Sequence, residues 1–179
     1  MVNYKCCLLS YLIPHTSYLI PRTSYLFLSL LICINLNGQP KIGEKPPNIV
    51  LRDVKGSVKK LSDHTNKVVL VDFWASWCGP CRRSNPNLVK LYAKYKTQGF
   101  EIFGVSIDED KASWKKAIDK DKISWIQVLE TGSWDGPVAT AWKVEQLPSS
   151  YLLDKSGKVV AIDPFGKDLE RKIIRQLKE

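Results

Sequence analysis

The feature that most constrains this chain is an apolar stretch that runs directly into two closely spaced cysteines. Residues 68–74 are Val-Val-Leu-Val-Asp-Phe-Trp, rich in β-branched and aromatic residues, and Cys78-Gly-Pro-Cys81 follows a few residues later. From Arg82 to Thr97, apolar residues recur at intervals of three and four, which predicts an amphipathic helix. The cysteines are therefore expected where a buried strand turns into the N-terminus of a helix.

This position favours a thiolate at Cys78. The unpaired N–H groups of a first helical turn and the positive end of the helix dipole stabilise an anion, and they lower a cysteine pKa from about 8.5 to ~7 or below. Cys81 follows one helical turn later, within the short Cα separation that a disulfide requires. We expect Cys78 to be the exposed attacking thiol and Cys81 to be the resolving thiol.

The spacing alone leaves two other uses of the pair open, a structural disulfide and half of a zinc site. Zinc needs four ligands, and after the first 38 residues the chain offers only His64 as a further histidine or cysteine. The sequence therefore favours a redox pair and predicts no metal site.

The residues Phe73-Trp-Ala-Ser-Trp-Cys-Gly-Pro-Cys81 resemble the active-site motif of the thioredoxin superfamily. The wider pattern, over about residues 42 to 179, is similar to the TlpA/ResA branch of envelope thiol-disulfide oxidoreductases. The resemblance implies a cis-proline at Pro148 that packs against the disulfide and leaves the backbone of Leu147 free to pair with an extended substrate segment. The predicted substrate-binding residues are Trp77, Gly79, Pro80, Leu147 and Pro148.

Asp72 is the most informative charged residue, because it lies within an otherwise apolar strand. Burial of a carboxylate costs free energy, which indicates a specific role for Asp72. The resemblance implies that Asp72 lies beneath the disulfide and accepts the proton of Cys81, through water; local hydrogen bonding at a strand end is the alternative. Many ResA-like proteins have a glutamate three residues after the second cysteine, but this chain has Ser84, so the role is expected to rest on Asp72.

The first 38 residues are expected to be a signal peptide or membrane leader, and residues 39–179 a thioredoxin-like domain. The leader carries Lys5, Arg22 and no acid, and its apolar run Tyr25–Leu36 is shorter than the ~20 residues of a membrane span. The sequence predicts export to the periplasm or cell envelope. Cleavage near Gly38, lipidation at Cys33 and a retained anchor remain open, as does a translation start inside the leader.

Charge and composition exclude one class of partner. The chain has 27 Lys and Arg against 18 Asp and Glu, and a net charge of +9. These charges are scattered, and no Arg-rich stripe with interleaved aromatic residues is present. We therefore predict a solvated basic surface and no nucleic-acid binding, with acidic partners and anionic lipid left open.

The remaining pattern predicts an α/β thioredoxin fold with an N-terminal β-hairpin, a strand–helix insertion and a mixed central sheet flanked by helices. Strands are predicted at 49–52, 58–61, 67–74, 100–107, 126–129, 149–154 and 158–162, and helices at 82–97, 111–120, 135–144 and 167–178.

The sequence therefore predicts an enzyme, a protein-disulfide reductase that exchanges its Cys78–Cys81 pair with protein or small-molecule disulfides and needs no cofactor. The Gly79-Pro80 dipeptide is similar to that of reducing thioredoxins, which favours a reductase, expected to be a monomer, that is fed by a membrane electron donor. Two alternatives remain open. One is a disulfide oxidase or isomerase, and the other is a copper-handling protein that binds metal without catalysis. Ala75 stands where the resemblance to peroxiredoxins would require threonine, so a dedicated peroxidase is not predicted.

Overall fold

A mixed seven-stranded sheet organises the structure, a computed structural model that describes residues 39–179. The strands are β1 (Val50–Asp53), β2 (Val58–Lys60), β3 (Val68–Trp74), β4 (Phe100–Ser106), β5 (Ile126–Leu129), β6 (Ser149–Leu153) and β7 (Val159–Ile162). Their order across the sheet is β2-β1-β5-β4-β3-β6-β7. Strands β3, β4 and β5 are parallel, whereas the hairpins β1–β2 and β6–β7 extend the sheet antiparallel at its two sides.

Four helices connect and cover the strands. They are α1 (Gly79–Tyr95), α2 (Lys111–Lys120), α3 (Pro137–Ala141) and α4 (Gly166–Lys178). Helices α1 and α2 are the crossovers of the parallel β3-β4-β5 unit, and right-handed crossovers in one direction bring both helices to the same face of the sheet. The ion pair between Arg82 of α1 and Asp121 at the end of α2 joins them there.

Strand β3 occupies the centre, and all seven of its residues are buried. Because side chains alternate along a strand, Leu70, Asp72 and Trp74 point to one face, which we call the α1 face. Leu70 packs there in a cluster with Leu88 of α1 and Leu169 of α4. A strand covered on both sides needs apolar residues at successive positions, which is why this run does not alternate.

The opposite face is covered by α3 and the residues that follow it. The rings of Phe73, Trp142 and Tyr151 pack together there, with centroids 5.0 to 6.3 Å apart. The buried carboxylate of Glu130 accepts the N–H groups of Val138 and Ala139 and thereby satisfies the first turn of α3.

The predicted fold class is confirmed, and two helices differ from their predicted ranges by more than one residue. Helix α1 begins at Gly79 and not at Arg82, so both Gly79 and Pro80 belong to its first turn. The helix predicted from 135 to 144 is only α3, preceded by a 3₁₀ turn at Ser133–Asp135, because Gly136 is extended between the two and Lys143 has a positive φ.

The predicted leader, residues 1–38, lies outside the described residues. Within residues 39–179, no helix is long and apolar enough to cross a membrane.

Candidate active site

The two cysteines of the motif form a disulfide at the start of α1. Cys78 is the N-cap of the helix, Cys81 lies in its first turn, and their Cα atoms are 5.3 Å apart. The backbone N–H of Cys81 donates to the Cys78 Sγ at 3.2 Å. The Cys78 sulfur therefore lies where a helix N-terminus stabilises negative charge, as the sequence predicted.

The predicted exposure of Cys78 is wrong for this disulfide form. Cys78 is 4% exposed, hardly more than Cys81 at 2%. The reason is the disulfide itself, which holds the Cys78 sulfur against the first turn of α1, where it also accepts the Cys81 N–H. The residues on either side of Cys78, Trp77 and Gly79, are exposed.

The loop between β3 and α1, which precedes Cys78, is bound by a buried carboxylate that the sequence analysis did not identify. Asp108, just after β4, accepts hydrogen bonds from the Ser76 N–H at 2.8 Å and the Ser76 Oγ at 2.6 Å. Ser106 Oγ also donates to Asp108, at 2.7 Å. The sequence feature that could have identified Asp108 is its position at the carboxyl end of a parallel strand next to β3, where the functional groups of such sheets are commonly found.

The other side of the loop is fixed by Arg82. Its guanidinium donates to the Ser76 carbonyl at 3.0 Å and makes a bidentate ion pair with Asp121. Asn85 of α1, which is buried, adds a hydrogen bond to Asp121 at 2.7 Å. Both carboxylates that surround the loop are thus satisfied by fixed donors, and the loop geometry is determined before substrate arrives.

An aromatic pair borders the disulfide on the surface. The Trp77 side chain is 57% exposed, and its ring lies 6.1 Å from that of Trp134, measured between centroids. Trp134, in the 3₁₀ turn before α3, was not predicted, because nothing in the local sequence connects it to the motif.

The predicted cis-proline is present, since the peptide bond between Leu147 and Pro148 is cis. Among residues 39–179, no hydrogen bond reaches the N–H or the carbonyl of Leu147, and β6 begins only at Ser149. Pro148, Pro80 and Asp72 line one groove of about 790 Å³ between α1 and the segment that enters α4. The structure thus brings Pro80 of the motif, the cis-proline and the buried acid together at one groove, which Trp77, Gly79, Leu147 and the two cysteines do not line.

Asp72 is buried in β3, with 8% of its surface exposed, and it is paired in register with Gly104 of β4 and Ser150 of β6. Within residues 39–179, no hydrogen bond reaches its carboxylate. Burial, together with the negative charge of Asp163, raises the pKa of Asp72 from 3.8 to about 7. Asp163 follows β7 and exchanges hydrogen bonds with Ser150, the β6 residue paired with Asp72. Its proximity to Asp72 thus arises from strand pairing, and the sequence analysis did not predict it.

Ser84 does not replace the missing glutamate on α1. Its hydroxyl donates to the carbonyl of Cys81 at 2.8 Å, as hydroxyls within helices commonly do. Within the described residues, no group of three or more His, Cys, Asp or Glu side chains is arranged to hold a metal ion.

Comparison with known proteins identifies the family. The chain matches the Redoxin family over residues 41–171 and belongs to it. It is 37% identical over 121 residues to the thiol-disulfide oxidoreductase ResA of Geobacillus kaustophilus (strain HTA426), which covers 68% of each chain.

Solved structures agree with this assignment. The thioredoxin domain of a thiol-disulfide oxidoreductase from Bacteroides vulgatus superposes with a TM-score of 0.71 and 38% identity, covering 75% of this chain and 96% of that one. A thiol:disulfide interchange protein from a Bacteroides species gives a TM-score of 0.72 and 37% identity, covering 78% of this chain and 92% of that one. The protein is a TlpA/ResA-like thiol-disulfide oxidoreductase with a thioredoxin fold, and its Cys78–Cys81 pair exchanges with substrate disulfides.

The raised pKa of Asp72 predicts a pH-dependent gain in stability for Asp72→Asn in the oxidised protein. The folded-state pKa of Asp72 lies above that of an unfolded aspartate, so ionisation of Asp72 destabilises the fold. This cost is absent below about pH 4 and complete above about pH 8. The variant should therefore gain up to roughly 4 kcal/mol of unfolding free energy at pH 8 and only a small fraction of that at pH 4.

Urea denaturation at pH 4, 6 and 8 measures this difference. Asp119→Asn, which removes an exposed carboxylate from α2, serves as the charge-matched control and should show no comparable trend. A gain that is the same at all three pH values would show that ionisation of Asp72 is not its source.

Proposed function

We propose that the protein reduces disulfides in the cell envelope, with Cys78 as attacking thiol, Cys81 as resolving thiol and Asp72 as proton acceptor. The observation that carries this proposal is the asymmetry of the pair: Cys78 caps α1 between the exposed residues Trp77 and Gly79, whereas Cys81 lies within the first turn of the helix. The cap position suits a thiolate that meets substrate, and we assign the resolving step to the thiol within the helix.

The reaction balances without a cofactor. The Cys78 thiolate attacks one sulfur of a substrate disulfide, which forms a mixed disulfide and releases the other substrate sulfur as a thiolate. Asp72 then takes the proton of Cys81, and the Cys81 thiolate attacks the Cys78 sulfur. The second substrate thiolate leaves, two electrons have passed to the substrate, and the enzyme holds the Cys78–Cys81 disulfide seen here. A dithiol donor must then reduce that disulfide.

Substrate binding is proposed to use the free backbone of Leu147. An extended segment that pairs with its N–H and carbonyl would lie beside Pro148, with Trp77, Gly79 and Pro80 on its other side. Main-chain pairing gives affinity with little sequence preference, which suits an enzyme that acts on unfolded or extended cysteine-containing segments. We further propose that the enzyme acts as a monomer.

The roles of the two cysteines predict different outcomes for two serine variants. Cys81→Ser keeps the attack and removes the resolving step, so it should accumulate mixed disulfides with a peptide disulfide, visible by non-reducing electrophoresis and mass spectrometry. Cys78→Ser is the matched control and should accumulate none. In the reduced wild-type protein, iodoacetamide at mildly acidic pH should label Cys78 first; preferential labelling of Cys81 would reverse the assignment.

The role of Asp72 predicts a pH-dependent defect in release. Asp72→Asn should slow the release of substrate from the mixed disulfide at pH 7 by about tenfold or more, because Cys81 loses its proton acceptor. The wild-type rate should fall as Asp72 becomes protonated below pH 7, and the variant should lack this inflection. Insulin reduction and stopped-flow release are measured from pH 6 to 9, with Asp119→Asn as control. Equal rates throughout would leave Asp72 without a catalytic role.

The direction and location rest on the sequence. The Gly79-Pro80 dipeptide is similar to that of reducing thioredoxins, and the basic, apolar leader favours export, with a membrane dithiol protein as electron donor. Edman sequencing of the protein from its native host should give an N-terminus near residue 39. A product that begins at Met1 in the cytosolic fraction would contradict export.

A further inference from the structure

A row of polar positions crosses the sheet on the α1 face at the level of Asp72. The β3–β4 register places Asp72 beside Gly104, and the β4–β5 register places Gly104 beside Gln127. Ser150 of β6 continues the row on the other side of Asp72. Paired residues of neighbouring strands point to the same face, so these side chains share one surface, beneath α1 and α2.

Gly104 is the gap in this row, and the amide of Gln127 covers it. A Cβ atom on Gly104 would lie 2.1 Å from the Nε2 of Gln127 and 2.8 Å from its Oε1. Any side chain here would displace the amide. Glycine is therefore required so that Gln127 can extend over β4 toward β3.

The orientation of the Gln127 amide is fixed by Trp74. The indole Nε1 of Trp74 donates to the Oε1 of Gln127 at 2.8 Å. Because an indole N–H is only a donor, the oxygen end of the amide must face Trp74 and the NH₂ end must face elsewhere. Gln127 is 5% exposed, and its Nε2 is buried without a hydrogen-bond partner among the described residues.

The unpaired Gln127 donor and the Asp72 carboxylate lie in the same row of the sheet. The Asp72 carboxylate accepts no hydrogen bond from residues 39–179, and neighbouring strands lie about 4.8 Å apart, so an amide above Gly104 is within one strand spacing of Asp72. A direct hydrogen bond after a rotamer change, or one bridging water, is sufficient to join them.

We propose that Gln127 is a positioning residue for the proton relay, whose amide N–H groups donate, directly or through one water, to the ionised carboxylate of Asp72. The proposal rests on the role of Asp72 given above and explains why a buried glutamine and a glycine occupy adjacent positions beside it. A donor to the charged form favours ionisation, so Gln127 opposes the effect of burial and keeps Asp72 able to accept a proton near neutral pH.

Other charged groups also face Asp72. The groove that it lines contains Arg83, Lys90, Lys94, Asp163, Lys167 and Glu170. Helix α2 covers the same face with the apolar residues Trp114, Ala117 and Ile118, and its terminal Asp121 is paired with Arg82. None of these groups is changed by a substitution at Gln127.

The test measures the pKa of Asp72 directly, by ¹³C-carboxyl NMR titration of the oxidised protein. Gln127→Met keeps the size of the side chain and removes its donors, and the pKa of Asp72 should rise by about one pH unit. The inflection in the release rate should move to higher pH by the same amount, with the rate at pH 9 retained. Gln176→Met, at a buried glutamine of α4, is the matched control and should change neither value.

A second variant separates the donor from the contact with Trp74. Gln127→Glu keeps an oxygen for the Trp74 N–H but offers a second carboxyl group to Asp72, so the pKa of Asp72 should rise further than in Gln127→Met. It also serves if the methionine variant does not fold. An unchanged Asp72 pKa in whichever variant folds would overturn the proposal.

Failure of the proposed function gives a different result. If Asp72→Asn releases substrate at the wild-type rate while Gln127→Met still raises the pKa of Asp72, the contact is real and Asp72 is not the proton acceptor. If Asp72→Asn is slow and Gln127→Met leaves the pKa unchanged, Asp72 acts without Gln127.

Discussion

The position of β3 between paired neighbours on both edges determines where the reactive groups lie. All seven residues of this strand are buried, β4 binds one edge and β6 the other, and helices cover both faces. A shift of β3 by one residue would turn every side chain to the opposite face of the sheet, Asp72 included, and would disrupt its pairing with both neighbours. Trp74 is therefore held in place, and α1 begins five residues later with Cys78 as its cap.

The short loop between β3 and α1 depends on the neighbouring elements as much as on β3. Ser76 is bound from one side by Asp108, at the carboxyl end of β4, and from the other by Arg82. Arg82 is itself held by Asp121 at the end of α2. The Arg82–Asp121 ion pair is partly shielded from water, so salt screens it less than it screens a surface pair. The parallel β3-β4-β5 unit thus supports the active site through two carboxylates that never touch the cysteines.

The sequence predicted the features that depend on nearest neighbours along the chain. The Cys-Gly-Pro-Cys motif, the strand before it, the periodicity of α2 and α4 and the isolated Asp72 are all visible in short windows, and the resemblance to thioredoxins added the cis-proline. Residues that reach the site from other elements were missed: Asp108, Gln127 and Asp163 through the pairing of strands, and Trp134 through the 3₁₀ turn before α3. Their role depends on a register across several strands, which one sequence does not encode in any local pattern. The helix predicted from 135 to 144 was too long because Gly136 interrupts it.

The surroundings of Asp72 suit an acid that must both accept and return a proton. A fixed arginine or lysine against the carboxylate would lower its pKa well below neutrality and leave a poor base, whereas a wholly apolar row would raise the pKa far above neutrality. The neighbours of Asp72 in this row, Gln127, Gly104 and Ser150, are all neutral. They carry no charge that would neutralise an ionised Asp72, and the polar groups of Gln127 and Ser150 keep the row from being wholly apolar. Burial and the negative charge of Asp163 together raise the pKa to about 7. A base with that pKa accepts a thiol proton at neutral pH and gives it back at little cost, as reversible thiol-disulfide exchange requires.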